Sequence, residues 1–227
     1  MYRMHSLLPD DYSIRSVTTG AELAKLELPA LAGRNGRKVI EQFEMADLLY
    51  SLGIAHPGAL RLHNFPKHLQ NLQKDSGERF DMAAVDILRD RERGVPRYNA
   101  FRRLFHKRPV TSFEELTDNP QWAKEIKEVY GGDLDKVDLL VGLMAEPLPD
   151  GFGFSDTAFR VFILMASRRL KSDRFLSADY TPAMYTQAGI EWVEETSMLD
   201  VLRRHVPALE PALAGVSNAF KPWKTMG

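Results

Sequence analysis

The sequence predicts an all-α fold, and three observations support it. Apolar residues recur at three-to-four spacing along most of the 227 residues. No stretch alternates apolar and polar residues for long enough to build a sheet. Gly and Pro fall between the periodic stretches, where helices stop. The composition is that of a folded chain: 44% of residues are hydrophobic and 27% charged, too apolar for disorder. With 30 Lys+Arg against 31 Asp+Glu the formal net charge is -1, which gives no bulk attraction to nucleic acid or to an anionic membrane. There is no cysteine, which excludes disulfides, thiolate zinc sites, iron–sulfur clusters and cysteine nucleophiles together. Any metal must be held through His, Asp, Glu or a cofactor.

Residues 1–10 lack the cationic start, apolar stretch and cleavage site of a secretory signal, so a cytoplasmic location is the default expectation. Periodicity predicts one helix over residues 37–52, with Val39, Ile40, Phe43, Ala46 and Leu49 on one side and Glu41, Glu44 and Asp47 on the other. Gly53 is expected to end it. A longer helix begins near Arg79 and carries Phe80, Ala83, Ala84, Ile87 and Leu88; Gly94-Val95-Pro96 breaks it, and helix resumes over residues 98–105. Ser112-Phe113-Glu114-Glu115 has capping-box spacing and opens a short helix. Asp118-Asn119-Pro120 starts the next and Gly131-Gly132 stops it, with Trp122, Ile126 and Val129 as its expected buried stripe. Another apolar helix covers residues 136–145 and is closed by Glu146-Pro147.

Ser155 or Asp156 then caps the most hydrophobic helix, which runs to about Leu170 and contains Val161-Phe162-Ile163-Leu164-Met165-Ala166. That run is far short of the roughly 20 residues that span a bilayer. It is predicted to be a buried core helix with neighbours on every side, because its apolar residues point all round. Residues 207–227, with Pro207, Pro211, Pro222 and Trp223, are predicted to form an irregular tail strapped across the body.

The familiar phosphate and hydrolase motifs are missing, which removes most support for nucleotide and hydrolase readings. His56, His63 and His68 lie close in sequence, but a Pro-containing turn separates them and no carboxylate stands at helical ligand spacing; surface or capping roles are favoured over a metal site. His106 and His205 sit beside Lys or Arg near helix ends, where a cation suits the helix dipole. Residues 89–108 form a local basic stripe of Arg89, Arg91, Arg93, Arg97, Arg102, Arg103, Lys107 and Arg108 against Asp90 and Glu92. Tyr98, Phe101 and Phe105 at helical spacing make this stripe a helix with one face in a core sooner than a nucleic-acid surface, and no nucleic-acid partner is expected.

The sharpest spacing is Tyr2-x-x-His5, which on a helix places a phenol and an imidazole on one face about one turn apart. Imidazole is a standard axial ligand of haem iron. A phenol beside an oxidised haem can give up an electron and a proton and then abstract hydrogen from a substrate, although such a terminal pair, taken alone, is more often packing.

The surrounding residues, Tyr2-Arg3-Met4-His5-Ser6-Leu7-Leu8-Pro9-Asp10, resemble the proximal-haem segment of the fatty acid α-dioxygenases, relatives of cyclooxygenase within the animal haem peroxidase superfamily. Three further blocks agree in order. Residues 86–103, from Asp86-Ile87-Leu88-Arg89 through Pro96-Arg97-Tyr98-Asn99-Ala100-Phe101-Arg102-Arg103, are similar to the superfamily's long Arg-rich helix and the element after it. Val141-Gly142-Leu143-Met144-Ala145-Glu146 and the stretch from Met165-Ala166-Ser167-Arg168-Arg169 to Phe175 are similar to its later helices. Together the four blocks span nearly the whole chain.

The resemblance implies a haem-peroxidase-like helical domain, incomplete here, with residues 1–227 as the C-terminal part of a catalytic domain. It implies haem b as cofactor and molecular oxygen as co-substrate. His5 becomes the proximal ligand of the haem iron and Tyr2 the radical site that removes a hydrogen from the carbon next to the substrate carboxylate. Asp86 falls where many superfamily members carry an Asn that hydrogen-bonds the proximal imidazole; a carboxylate there raises imidazole basicity and stabilises ferric haem. A salt bridge to Arg89 or Arg91 is the competing role.

Arg169 becomes the anchor of the substrate carboxylate, with Arg168 as the fallback, since a guanidinium can hold a carboxylate in bidentate fashion; pairing with Asp173 or a solvent-facing helix end is the alternative. Phe159, Phe162 and Met165 are candidates for lining an apolar channel and, as isolated facts, for core. The family's distal His comes from a segment well before Tyr-x-x-His, and no remaining histidine here sits in a matching motif. The expected partners are therefore a fatty acid and a missing N-terminal half, with peripheral membrane contact left open. The expected activity is oxygenation of fatty acids at the α carbon to 2-hydroperoxy fatty acids, with little or no turnover by the isolated chain. The alternatives are a haem peroxidase without fatty-acid oxygenation and a truncated, non-catalytic helical remnant.

Overall fold

Helices dominate the chain, as the periodicity predicts, and small antiparallel hairpins that it does not predict join them. The computed structural model describes residues 4–56, 58–74 and 76–227. In order, the elements are β1 (Asp11–Arg15), β2 (Glu22–Glu27), α1 (Leu28–Leu31), α2 (Gly33–Ile40), α3 (Met45–Ile54), α4 (Lys67–Gln70), β3 (Leu72–Gln73), β4 (Arg79–Phe80), α5 (Met82–Glu92), α6 (Tyr98–Leu104), α7 (Phe113–Leu116), α8 (Pro120–Val129), α9 (Leu139–Ala145), α10 (Asp156–Ser172), α11 (Pro182–Tyr185), α12 (Gln187–Glu195), α13 (Met198–His205) and α14 (Glu210–Leu213). The chain divides into two compact units, residues 1–9 with 58–166 and residues 10–57 with 167–227.

The first unit is built on local signals that behave as their chemistry requires. Asp81 caps α5 by accepting from the amides of Ala83 and Ala84, Ser112 caps α7 and Asn119 caps α8 from the residue before Pro120. Gly94, at φ +67°, and Gly131-Gly132, at +61° and +77°, stop α5 and α8 in a conformation that side chains with a Cβ resist. The core gathers Tyr98, Val110, Phe113, Leu116, Ala123, Ile126, Val137 and Ala145 from α6 to α9 and their connections. The expected stripe of α8 is rotated: Ala123 and Ile126 are buried while Val129 is 78% exposed. Val129 is the last residue of the helix, past the core that Ala123 and Ile126 enter.

The predicted helix over residues 37–52 is two helices, α2 and α3, because the chain turns extended at Glu44 (φ -66°, ψ 140°) before helix resumes. Gly53 does not end α3. It lies inside the helix and is required by contact: a Cβ there would stand 2.1 Å from the Trp223 indole. Trp223 and Tyr50 belong to the core of the second unit, with Val17, Leu199, Leu209, Ala212 and Leu213. The tail is strapped as expected, with the amide of Trp223 donating to the Gly53 carbonyl at 3.1 Å and the amide of Met226 to the Tyr50 hydroxyl at 2.7 Å. The hairpin β1–β2 pairs Asp11 with Glu27 through Ile14 with Ala24, then bulges before Arg15. It is fastened to α3 by its backbone: the Arg15 amide donates to Ser51 Oγ at 2.7 Å and the Val17 amide to Asp47 Oδ1 at 2.8 Å.

The helix expected to lie in a core departs most from expectation. In α10 only Thr157 and Ala158 are buried among the described residues, and Ile163, Leu164, Met165 and Leu170 are 49%, 39%, 37% and 56% exposed. Apolar side chains on every side of a helix need neighbours on every side; the described residues bury Thr157 and Ala158 in the first turn of α10 and cover the later turns only in part. No described helix is long and apolar enough to cross a membrane.

Candidate functional site

His5 opens a single 3-10 turn, His5–Leu7, that the loop over residues 58–65 holds in place. The amide of Gly58 donates to the Leu7 carbonyl at 3.2 Å. Asn64 Nδ2 donates to the carbonyls of Ser6 and Ala59 at 3.0 and 2.8 Å. A Cβ on Gly58 would stand 2.5 Å from the Ser6 carbonyl oxygen, so glycine is what lets the two segments lie this close. Phe65 meets the imidazole edge-on, with centroids 5.6 Å apart and planes at 70°. The ring is steered by these contacts and keeps about a third of its surface open.

The second residue of the site comes from α5. Among the described residues of α5 only Asp86 is buried, and its Oδ2 lies 3.4 Å from His5 Nδ1. A carboxylate in that position favours a proton on Nδ1, which leaves the Nε2 lone pair for a metal. The competing role for Asp86 loses one of its partners, because Arg91 is engaged elsewhere. Arg91 Nε donates to Asp138 Oδ1 at 2.9 Å and Arg91 Nη2 to Asp138 Oδ2 at 2.6 Å. Arg97 donates to the same carboxylate and so does the Tyr130 hydroxyl, at 2.8 Å. Burial pushes the Asp138 carboxyl up, but hydrogen bonds from Arg91 and Tyr130 and the charge of Arg97 outweigh it and hold the group below the usual carboxylate range.

A second buried carboxylate, Glu146, ties α6, α9 and the start of α10 together. It accepts from the Tyr98 hydroxyl at 2.5 Å, from Arg102 Nη1 at 2.8 Å, from the Thr157 amide at 3.1 Å and from the Thr157 hydroxyl. Burial first, and the neighbouring Glu146 charge second, push the Tyr98 phenol far above its ordinary value. Much of the basic stripe is thus matched within the fold: beside Arg91, Arg97 and Arg102, Arg103 faces Asp135, Lys107 faces Asp156 and Arg108 faces Glu115. His63 pairs with Glu125 at 2.7 Å on the surface.

Of the residues singled out by the sequence, the structure brings His5 and Asp86 together. Tyr2 lies outside the described residues. Arg168 and Arg169 belong to the second unit and are exposed on the last turns of α10. Asp173, their alternative partner, accepts from the Phe175 amide at 3.0 Å as the cap of the following turn. Phe159 stacks on Phe162, with centroids 5.8 Å apart, and meets Phe152 edge-on. Gly58, Asn64, Phe65 and Asp138 escape sequence reasoning. Asn64 acts across 58 positions and Asp138 across 47, and neither stands in a local pattern that marks it.

The arrangement fits a haem group. An imidazole whose second nitrogen faces a buried carboxylate is the donor set that iron porphyrins take on their proximal side. The α-dioxygenase PIOX of Pisum sativum is 41% identical over 99% of this chain, which covers 37% of that protein. The crystal structure of Oryza sativa fatty acid α-dioxygenase matches with a TM-score of 0.90 and 40% identity over 98% of this chain and 39% of its own. Peroxidase A from Dictyostelium discoideum matches with a TM-score of 0.74 and 25% identity over 88% of this chain and 38% of its own. The chain therefore spans somewhat more than a third of the length of these relatives. The helical fold is that of the haem peroxidases and dioxygenases, the family model of the animal haem peroxidases matches residues 1–216, and the chain belongs to that family.

Proposed function

We propose that this chain carries the proximal haem site of a fatty acid α-dioxygenase, and that oxygenation at the α carbon belongs to a protein of its relatives' full length. The observation that carries the reading is the 3.4 Å approach of His5 Nδ1 to the buried Asp86 carboxylate. His5 Nε2 would take the iron, and Asp86 would fix the tautomer and strengthen the ligand. Haem b, when bound, supplies the one-electron oxidation that Tyr2 requires. Tyr2 loses its phenolic hydrogen and takes one from the carbon beside the substrate carboxylate. Molecular oxygen adds to that carbon, and the peroxyl group recovers a hydrogen from Tyr2, giving a 2-hydroperoxy fatty acid and restoring the phenoxyl. Arg169, with Arg168 as the fallback, would hold the carboxylate. The remaining length of the relatives is the partner that this scheme calls for.

Haemin titration of the purified chain beside His5→Ala tests the reading. A saturable Soret shift that disappears in His5→Ala is expected; no His5-dependent shift would sink it. The likeness to a Dictyostelium peroxidase favours a second reading, peroxidase chemistry without fatty-acid oxygenation. Tyr2→Phe separates the two in the haem-loaded protein joined to its partner segment: oxygen uptake with a fatty acid should vanish while oxidation of a reducing co-substrate survives. Arg169→Ala should weaken fatty-acid binding, and an unchanged affinity would move the anchor elsewhere.

A further inference from the structure

We propose that Arg91, gripped by Asp138, is a positioning residue that holds Asp86 against His5. The inference rests on the reading of His5 as the iron ligand. α5 sets no apolar residue fully into the core: Asp86 is its buried residue among those described, Met82, Val85 and Ile87 are only partly buried and Leu88 is 52% exposed. A surface helix takes its rotation from the apolar stripe it presses into a core. In α5 a carboxylate occupies the most buried position, and the partly buried residues beside it hold the rotation less tightly than a fully packed stripe would. For a helix about 10–12 Å across with its side chains, a turn of roughly 20° carries a carboxylate about 2 Å around the axis. That displacement is large against a contact of 3.4 Å.

The Arg91–Asp138 pair supplies the constraint. Arg91 follows Asp86 by five residues, which is about 140° around a helix. Two attachments at different azimuths define a rotation, whereas two on one face would leave a hinge. The contact is bidentate, so it fixes the direction of the guanidinium plane as well as its distance. Asp138 is itself immobilised. Its side chain is 5% exposed, and it takes further bonds from Tyr130 and Arg97. It also follows Val137, a fully buried core residue whose carbonyl accepts from the Tyr98 amide at 2.9 Å. Asp138 stands at the N-cap position of α9 but makes no side-chain cap bond there; its oxygens are committed to α5 and its surroundings. At the other end of α5 the Asp81 cap closes the helix's own first turn, and the contacts with α4 hold that end near the unit without gripping a side chain as Asp138 grips Arg91. Loss of Arg91 would therefore free the helix to turn while the core of the unit stays closed.

The test reads the His5 tautomer in the 15N-labelled, haem-free chain, at a pH raised until the two ring-nitrogen shifts report a neutral imidazole. Long-range proton–nitrogen spectra give the share of Nδ1–H against Nε2–H. Nδ1–H is expected to dominate in the wild-type chain, and Asp86→Ala should lower the ratio about fivefold. Arg91→Lys keeps the charge but cannot grip both oxygens. It should move the ratio in the same direction, and the double variant should go no further than Asp86→Ala alone. A wild-type ratio in Arg91→Lys, or effects that add, would overturn the proposal; a lowered melting temperature with an unmoved ratio is the signature of a merely structural arginine and would overturn it too. Should Arg91→Lys fail to fold, Tyr130→Phe removes one bond to Asp138 and carries the same expectation at smaller amplitude. Because the chain is read without haem, failure of the haemin titration would leave this result legible.

Discussion

Asp138 is kept ionised inside the first unit by two guanidinium groups and a phenol, which ties the stability of that unit to pH. Its carboxyl in the folded chain lies below the value of about 3.9 for an unfolded Asp. The stabilisation is complete above that value and is lost as pH falls through the folded one. Urea midpoints are expected to drop below about pH 4 in the wild-type chain. Asp138→Asn should be weaker at pH 7 by about 1–3 kcal/mol, since Arg91 and Arg97 remain partly solvated, and its acid profile should be flatter; parallel profiles would remove Asp138 as the cause. Phenols act in the opposite sense. Tyr130 is pushed up to about 12, by burial first and then by its bond to Asp138, so its contribution is full below about pH 10 and is lost as pH rises through the folded value. His5 and Asp86 are legible in the sequence because their neighbours resemble a family pattern. Asp138 is not, because it falls in the first turn of the helix expected over residues 136–145, where an acid needs no further partner to be accounted for.

At the scale of elements, α6 and α9 pack closely enough that one methyl group decides the fit. A Cβ on Gly142 would stand 2.2 Å from the Tyr98 ring. Gly142→Ala is expected to cost about 1–3 kcal/mol through overpacking and to push Tyr98 away from Glu146, which denaturant unfolding and near-ultraviolet circular dichroism would report together; unchanged stability would mean that the helices can part without loss. Most helix ends of the first unit are readable because their signals are local: Ser112 and Asn119 begin α7 and α8, and Gly94 and Gly131 end α5 and α8; the start of α5 is not, for Arg79 and Phe80, expected in the helix, pair as β4 and the helix begins after Asp81. The break between α2 and α3 is not readable, for residues 41–44 contain neither Gly nor Pro and the apolar spacing runs through. Gly53 misleads because its reason is Trp223, far along the chain. The β1–β2 hairpin escapes because its strands are short and charged, and its hold on α3 passes through backbone amides, which sequence patterns do not display.

For the molecule as a whole, α10 sets the behaviour in solution. Its later turns show Ile163, Leu164 and Met165 to solvent at three different azimuths, more apolar surface than a lone helix usually presents. An environment-sensitive apolar dye should bind the chain, and Ile163→Glu combined with Met165→Glu should cut that binding to roughly half while helicity is retained; unchanged binding would place the apolar site elsewhere. The all-round pattern of this helix is plain in the sequence, but what covers it depends on residues that the pattern cannot name.

The two-piece make-up of the second unit also sets a schedule. Tyr50 and Met226, which bond in the finished core, are 176 positions apart. At the usual 5–20 residues per second of synthesis, roughly 9–35 s pass between their appearances. The first unit comprises residues no later than 166, all of them made before that interval ends. The hairpin and α3, made early, must wait for Leu199, Leu209 and Leu213, their partners in the core of the second unit. A ribosome-bound nascent chain halted once residue 166 has cleared the exit tunnel should therefore hold one protected body and a long protease-sensitive loop over residues 10–57, and the tendency to misassemble during synthesis is concentrated in that loop.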